Sequence, residues 1–244
     1  MQNDLDTIEH SNEELLWNRR FAKTDKDFFA GIHEILEMNI PPVDYIYHFP
    51  IFNGHVNIAR YLALYEAFKM VQGLAGHYAD IGTWKGASFL YIAKLIRLFE
   101  SQVSSQVHAF DWFCGMQPNA KGDQENYVGD YATLKKLVDI QNLNDLAIIH
   151  KIDLINELPL FAKDPVYGST YFKYVYLDCG YEAVLEKTIP FFWDRLLTGG
   201  IMVFDHFATD VRPETEIARA LLPKSAVIKH FSFARQPTGY VIKS

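Results

Sequence analysis

Short apolar runs recur along this chain at Tyr78–Ile81, Val107–Phe110, Ala147–Ile149, Tyr174–Leu177 and Met202–Phe204, and stretches of helical periodicity separate most of them. Runs this short, alternating with helices, predict a Rossmann-like α/β fold: a doubly wound, mostly parallel sheet with helices on both faces. The end of the chain breaks the pattern. Ala226–Phe233 and Tyr240–Ile242 are joined only by a short segment containing Pro237 and Gly239. A parallel crossover needs about a dozen residues or more, so these two runs are predicted to pair antiparallel as a C-terminal hairpin and to complete a seven-stranded sheet.

Ahead of the sheet, Glu13–Met38 carries Leu15, Leu16, Phe21, Phe28, Phe29, Ile32, Ile35 and Leu36 at helical spacing among charges, which predicts two short amphipathic helices. Pro41-Pro42 should end them. Val43–Gly54, rich in Tyr, Phe and His, then reads as an ordered loop that packs on the main domain or walls an acceptor pocket. A further helical pattern over Asn57–Gln72 leads into the first strand. The predicted organisation is an N-terminal helical extension with its aromatic loop over residues 1–56, supplying lid or dimer contacts, and a main domain over residues 57–244.

The stretch His77-Tyr78-Ala79-Asp80-Ile81-Gly82-Thr83-Trp84-Lys85-Gly86 reads as a buried strand, an acidic strand end, a tight turn and the start of a helix. Glycines at 82 and 86 can take positive φ and let the backbone approach a ligand, and unpaired N–H groups at the helix start face the same place. A carboxylate, Asp111, ends the second strand, where it can grip a ribose diol. The spacing Asp80-x-Gly82-x-x-x-Gly86 departs from Gly-x-Gly-x-x-Gly and disfavours a nicotinamide cofactor. Later, Asp178 ends the fourth strand, and Asp205-His206 end the fifth. Ligands of open α/β sheets bind at the carboxyl ends of the strands, so these residues belong to one rim. Two carboxylates and an imidazole can hold a divalent ion; capping or hydrogen-bonding roles are the structural alternative.

Composition narrows the partners. The chain has a formal net charge of −7, which argues against duplex nucleic acid as a partner. Two cysteines, Cys114 and Cys179, make no disulfide framework, and the acidic, polar start from Met1 to Glu14 lacks the plan of a signal peptide. No window approaches the ~18 uninterrupted apolar residues of a membrane span. A cytoplasmic protein with no membrane partner is the expectation.

The Asp-x-Gly-x-x-x-Gly turn, the Phe110-Asp111-x-Phe113-x-Gly115 segment and the Gly199-Gly200…Asp205 strand together resemble class I S-adenosylmethionine-dependent methyltransferases. More narrowly, Asn57-Ile58-Ala59-Arg60-Tyr61-Leu62-Ala63-Leu64-Tyr65-Glu66 and Tyr176-Leu177-Asp178 resemble the macrocin/mycinamicin/novobiocin (TylF-like) sugar O-methyltransferases, a likeness that covers most of the chain from about Asn57 onward. The resemblance implies a homodimer or higher homo-oligomer acting on a nucleotide sugar or a glycosylated natural product. It implies S-adenosylmethionine as cofactor, held by Asp80, Gly82, Thr83, Trp84, Gly86, Ser88, Asp111, Trp112, Asp153 and Asp178. It also implies a divalent ion, Mg²⁺ or another, on Asp178, Asp205 and His206, because the 27-residue interval from Asp178 to Asp205 is the family's ligand spacing. His206 stands where the family has a second aspartate, and Gly180 where an acidic residue is common. Asp178 is the implied proton acceptor if a metal acidifies the hydroxyl, and His206 is the natural base if none does. The alternative readings are a methyltransferase for another small acceptor and a non-catalytic module on the same fold.

Overall fold

Each of the five short apolar runs forms a strand. In the computed structural model, which describes residues 27–28, 30–100, 102, 104–115, 127–205 and 214–244, they lie side by side in one sheet. The strands are β1 (His77–Ile81), β2 (Val107–Asp111), β3 (Ala147–Lys151), β4 (Phe172–Leu177) and β5 (Leu196–Phe204), with β6 (Gly239–Ile242) on the edge, in the order β3-β2-β1-β4-β5-β6. All pairings are parallel except β5 with β6. Apolar runs without polar alternation are what strands covered on both faces require, and β4 is buried along its whole length.

Among the described residues the sheet has six strands, one fewer than predicted. The run Ala226–Phe233 makes a single antiparallel bridge, Lys229 to Tyr240, with N–H···O bonds of 2.8 Å in both directions. Neighbouring groups are used elsewhere: the His230 ring nitrogen Nδ1 lies 2.6 Å from the Thr238 carbonyl, and Phe231 turns its ring onto Tyr240 at 4.7 Å. The antiparallel chain end is therefore present, but as a bridge outside β6.

Before the sheet, residues 30–37 are helical (α1), followed by α2 (Pro42–Tyr47), α3 (Phe49–Phe52) and α4 (His55–Met70). The aromatic segment predicted as a loop is thus two short helices. Pro42 and Pro50 occupy first-turn positions, where a missing N–H costs nothing and the fixed φ suits a helix. Neither helix buries a residue, and Ile46, Tyr47 and Ile51 are each about three-quarters exposed, at 75 %, 76 % and 74 %. Predicted helical segments before residue 27 lie outside the described residues.

The remaining helices, α5 (Ala87–Phe99), α6 (Tyr131–Ile140), α7 (Leu158–Phe161), α8 (Glu182–Arg195) and α9 (Glu214–Leu221), complete two layers around the sheet. Strand parity sorts the core. Tyr78, Ala109, Tyr174, Tyr176, Ile201 and Val203 pack with α4, α5 and α6, whereas Ala79, Phe110, Val175, Leu177, Met202 and Phe204 pack with α8 and α9. Among the described residues, no helix is long and apolar enough to cross a membrane.

Candidate active site

Counting on by two along the α4-facing side of each strand gives Asp80 after Tyr78, Asp111 after Ala109, Asp178 after Tyr176 and Asp205 after Val203. Strand side chains alternate faces, so four carboxylates gather at the carboxyl end of the sheet on one side. The register agrees, pairing Asp80 with Ala109 on β2 and with Tyr176 on β4. Between β1 and β4 the strand order reverses, and the crevice at such a point is where open α/β sheets take ligands.

At the end of β1, Thr83 Oγ1 donates to Asp80 Oδ1 at 2.6 Å and to the Asp80 carbonyl at 3.0 Å. Asp80 is fully buried, and its Oδ2 has no hydrogen-bond partner. Burial pushes this carboxyl up to about 6; the Ser88 and Thr83 hydroxyls favour the anion, and Asp178 opposes it. Gly82 and Gly86 have φ of 81° and 86°, as the turn required. The space beside Gly82 is not left for a ligand, however. A Cβ there would come within 2.2 Å of the Asp178 carbonyl oxygen, and one at Gly86 would meet Leu134 at 2.3 Å. Gly82 is needed so that β1 and β4 can end side by side, and Gly86, in the left-handed region, lets α5 start over Leu134.

Asp111 accepts from the Trp84 amide at 2.7 Å and the Phe113 amide at 2.6 Å, tying the end of β2 to the glycine turn. Both donors have positive φ, 48° at Trp84 and 61° at Phe113, a conformation that non-glycine residues seldom adopt and that clusters at functional sites. Burial raises the Asp111 carboxyl, and the amides of Trp84, Phe113 and Trp112 act against that rise. Each carboxylate oxygen has a second lone pair, so Asp111 keeps capacity for a diol. Trp112 donates its indole N–H to the Gly115 carbonyl. Asp153 is the outlier of the predicted set: its carboxylate accepts from the Ile155 and Asn156 amides at 2.8 and 3.3 Å and from the Asn156 side chain at 2.7 Å, as the cap of its own turn.

The ends of β4 and β5 hold what the motifs left out. Arg60, on α4, reaches into the rim. Its Nε donates to Asp205 Oδ1 at 3.1 Å, its Nη2 lies 2.9 Å from Asp205 Oδ2, and the same Nη2 pairs with Asp178 Oδ2. The Tyr176 hydroxyl accepts from both nitrogens, at 3.2 and 2.6 Å. Burial works against the Arg60 charge, but Tyr176, Asp205 and Asp178 outweigh it and hold the guanidinium protonated. Burial raises Asp205, with Asp178 adding to the rise and Arg60 and Tyr176 opposing it. Glu214, buried at the start of α9, accepts from the Cys179 and Gly180 amides at 3.0 and 2.9 Å and so secures the turn after Asp178. The signal for Arg60 was a cation one helical turn before Ala63 and Leu64, on an otherwise apolar stripe.

Asp178 and Asp205 therefore come together as predicted, whereas His206 lies outside the described residues. The two carboxylates do not fit a divalent ion as they stand. Both Asp205 oxygens and one Asp178 oxygen are bound to a guanidinium, position 180 has no side chain, and no cluster of three metal-ligating side chains forms among the described residues.

A glycine turn at the switch point of a mostly parallel sheet, with a carboxylate ending the neighbouring strand, defines a class I methyltransferase fold. The methyltransferase domain family matches residues 79–207, just over half of the chain, and the chain belongs to that family. A crystal structure of CalS11, a calicheamicin methyltransferase, aligns with a TM-score of 0.73 at 17 % identity over 98 % of this chain and 96 % of its own. An apo structure of CalS11, described as a TDP-rhamnose 3'-O-methyltransferase, gives 0.67 at 18 % identity over 96 % of both chains. The O-methyltransferase NovP gives 0.60 at 16 % identity over 79 % of this chain and 84 % of its own. No curated protein matched the sequence. Identities this low establish a shared fold.

Proposed function

We propose that this methyltransferase uses S-adenosylmethionine to methylate a hydroxyl of a sugar, carried as a nucleotide sugar or on a glycosylated natural product. The observation that carries this reading is the fold shared with CalS11, which extends over 98 % of this chain, including the helices before β1. The site residues fit the cofactor. Asp80 offers a buried carboxylate oxygen without a partner, α5 presents its first-turn amides, and Asp111 ends β2 with capacity for a ribose diol. When bound, S-adenosylmethionine supplies a methyl group made electrophilic by its sulfonium.

The protein's own work is to orient the acceptor and remove its proton. His206, next in the chain to Asp205, is the proposed base, since an unperturbed imidazole pKa of ~6.5 suits neutral pH. Asp178 is less suited, because its Oδ2 is held by Arg60. Incubation with a panel of nucleotide sugars and labelled S-adenosylmethionine, read by mass spectrometry, tests the reading. A sugar product gaining one methyl supports it, and transfer only to non-sugar acceptors would overturn it.

Two expectations follow for the flanking parts. Asp111→Ala should weaken S-adenosylmethionine binding by roughly 1–3 kcal/mol, the range for losing a hydrogen bond to a charged group. Calorimetry checks this, and an effect on the acceptor alone would place Asp111 outside the cofactor pocket. The exposed Ile46, Tyr47 and Ile51 are proposed to cover the acceptor or to join two subunits. Deleting residues 1–54 should lower acceptor affinity or dimer content, measured by kinetics and sedimentation, while cofactor affinity holds; a monomer with full activity would refute both roles.

A further inference from the structure

We propose that Arg60 is the resident cation of this site, standing where a divalent ion would otherwise bridge Asp178 and Asp205, so that this protein's rim works without a metal. The guanidinium is a fork with several donors in one plane, and here its Nε–Nη2 edge does the holding: Nε and Nη2 take the two oxygens of Asp205, Nη2 also takes Asp178, and Tyr176 accepts from both nitrogens. Asp205 has a side-chain exposure of 3 %, against 31 % for Arg60 and 30 % for Asp178. The buried carboxylate is thus the anchor, while the Arg60 side chain stays partly exposed.

A divalent ion on the same oxygens would sit within a few ångströms of a fixed positive charge in a partly desolvated place, where like charges repel strongly. It would also need several oxygens in near-octahedral array, and the guanidinium already holds three of the four in this carboxylate pair. The consequence is a difference in charge. By formal charge, two carboxylates and a guanidinium sum to −1, where a divalent ion in place of Arg60 would leave the set neutral. Arg60 is therefore a positioning residue: it holds Asp178 and Asp205 together, and leaves proton removal to another group.

The test is a titration with Mn²⁺ alone, followed by calorimetry, on chelator-treated full-length protein, on Arg60→Ala and on Arg60→Ala/Asp205→Asn. Wild type should show no saturable Mn²⁺ binding. Arg60→Ala should bind one Mn²⁺ per chain at least about 100-fold more tightly than wild type, the factor set by removing a close like charge, and the double variant should lose it. Saturable Mn²⁺ binding by wild type that Asp205→Asn abolishes would overturn the proposal, as would a folded Arg60→Ala that binds none. If Arg60→Ala does not fold, Arg60→Lys replaces it. Lysine keeps the charge without the fork, and it should still exclude Mn²⁺ while separating the two carboxylates, seen as a shifted pH profile of turnover. Binding of Mn²⁺ by Arg60→Lys as tight as by a chelator-treated metalloenzyme would count against a charge-based exclusion. The turnover arm rests on the methyl-transfer reading, with chelation expected to leave the wild-type rate unchanged; the Mn²⁺ titration does not, so the two can fail separately.

Discussion

Turnover of His206→Ala is expected to fall by about 10²–10⁴-fold, the usual contribution of a positioned base, with S-adenosylmethionine affinity unchanged. The other groups at the rim are poorly placed to take a proton. Asp205 is buried and its two oxygens are bound by Arg60. The Tyr176 hydroxyl is buried, accepts from Arg60, and is raised well above its ordinary pKa by burial and by Asp178 and Asp205. Asp80 sits behind Thr83 with no exposure. The imidazole that follows Asp205 in the chain is therefore the proposed acceptor. The wild-type rate should rise with pH through the imidazole range, since the base must be unprotonated, and His206→Ala should flatten that limb. Steady-state kinetics on the nucleotide sugar that accepts the methyl group, with calorimetry for the cofactor, measures both quantities. Unchanged turnover in the folded variant would move the base to another residue.

The largest effect on stability is expected far from the rim. Lys173, at 0 % exposure, donates to both Glu100 oxygens at 2.9 Å and to the Leu74 carbonyl at 3.0 Å, while the Tyr78 hydroxyl donates to Glu100 Oε1 at 3.0 Å. Lys173→Met leaves a carboxylate buried without its counter-ion and should cost about 3–5 kcal/mol, read as a lower urea midpoint. Replacing both partners, as Lys173→Met with Glu100→Leu, should recover most of that loss, because no charge is then left to solvate. A single variant that unfolds within about 1 kcal/mol of wild type would show that water reaches Glu100. The pair joins the start of β4 to the end of α5, at the opposite end of that helix from the turn that carries Gly82 and Gly86, so cofactor affinity of the folded single variant should hold.

The aromatic segment after Pro41 shows where local pattern and fold part. Val43–Gly54 has turn-forming residues at both ends and no clean helical stripe, which favours a loop in isolation. Pro42, just before it, and Pro50 within it fall at helix starts instead, and neither helix buries a residue, so no buried face was there to be read. Ala226–Phe233 errs the other way. Its β-forming residues suggested a strand, but a strand exists only by pairing, and beyond Lys229 its groups are bound by Thr238 and Tyr240.

What the sequence determined by itself is the set of quantities that depend on neighbours along the chain. Unbroken apolar runs between helical stretches specify a parallel sheet, a period of two puts Asp80, Asp111, Asp178 and Asp205 on one face, and glycines at 82 and 86 permit the positive φ the turn adopts. Tertiary structure alone decided what stands between those carboxylates. Arg60 lies 118 residues before Asp178 and 145 before Asp205. Its arrival depends on how Ala59, Ala63, Ala67 and Phe68 seat α4 against the sheet, a packing that no local pattern encodes. The same holds for Gly82, whose small size answers to the Asp178 carbonyl of a distant strand. A spacing of 27 residues can bring two carboxylates to one rim, but whether the charge between them is an ion or a side chain is set by which helix packs over them.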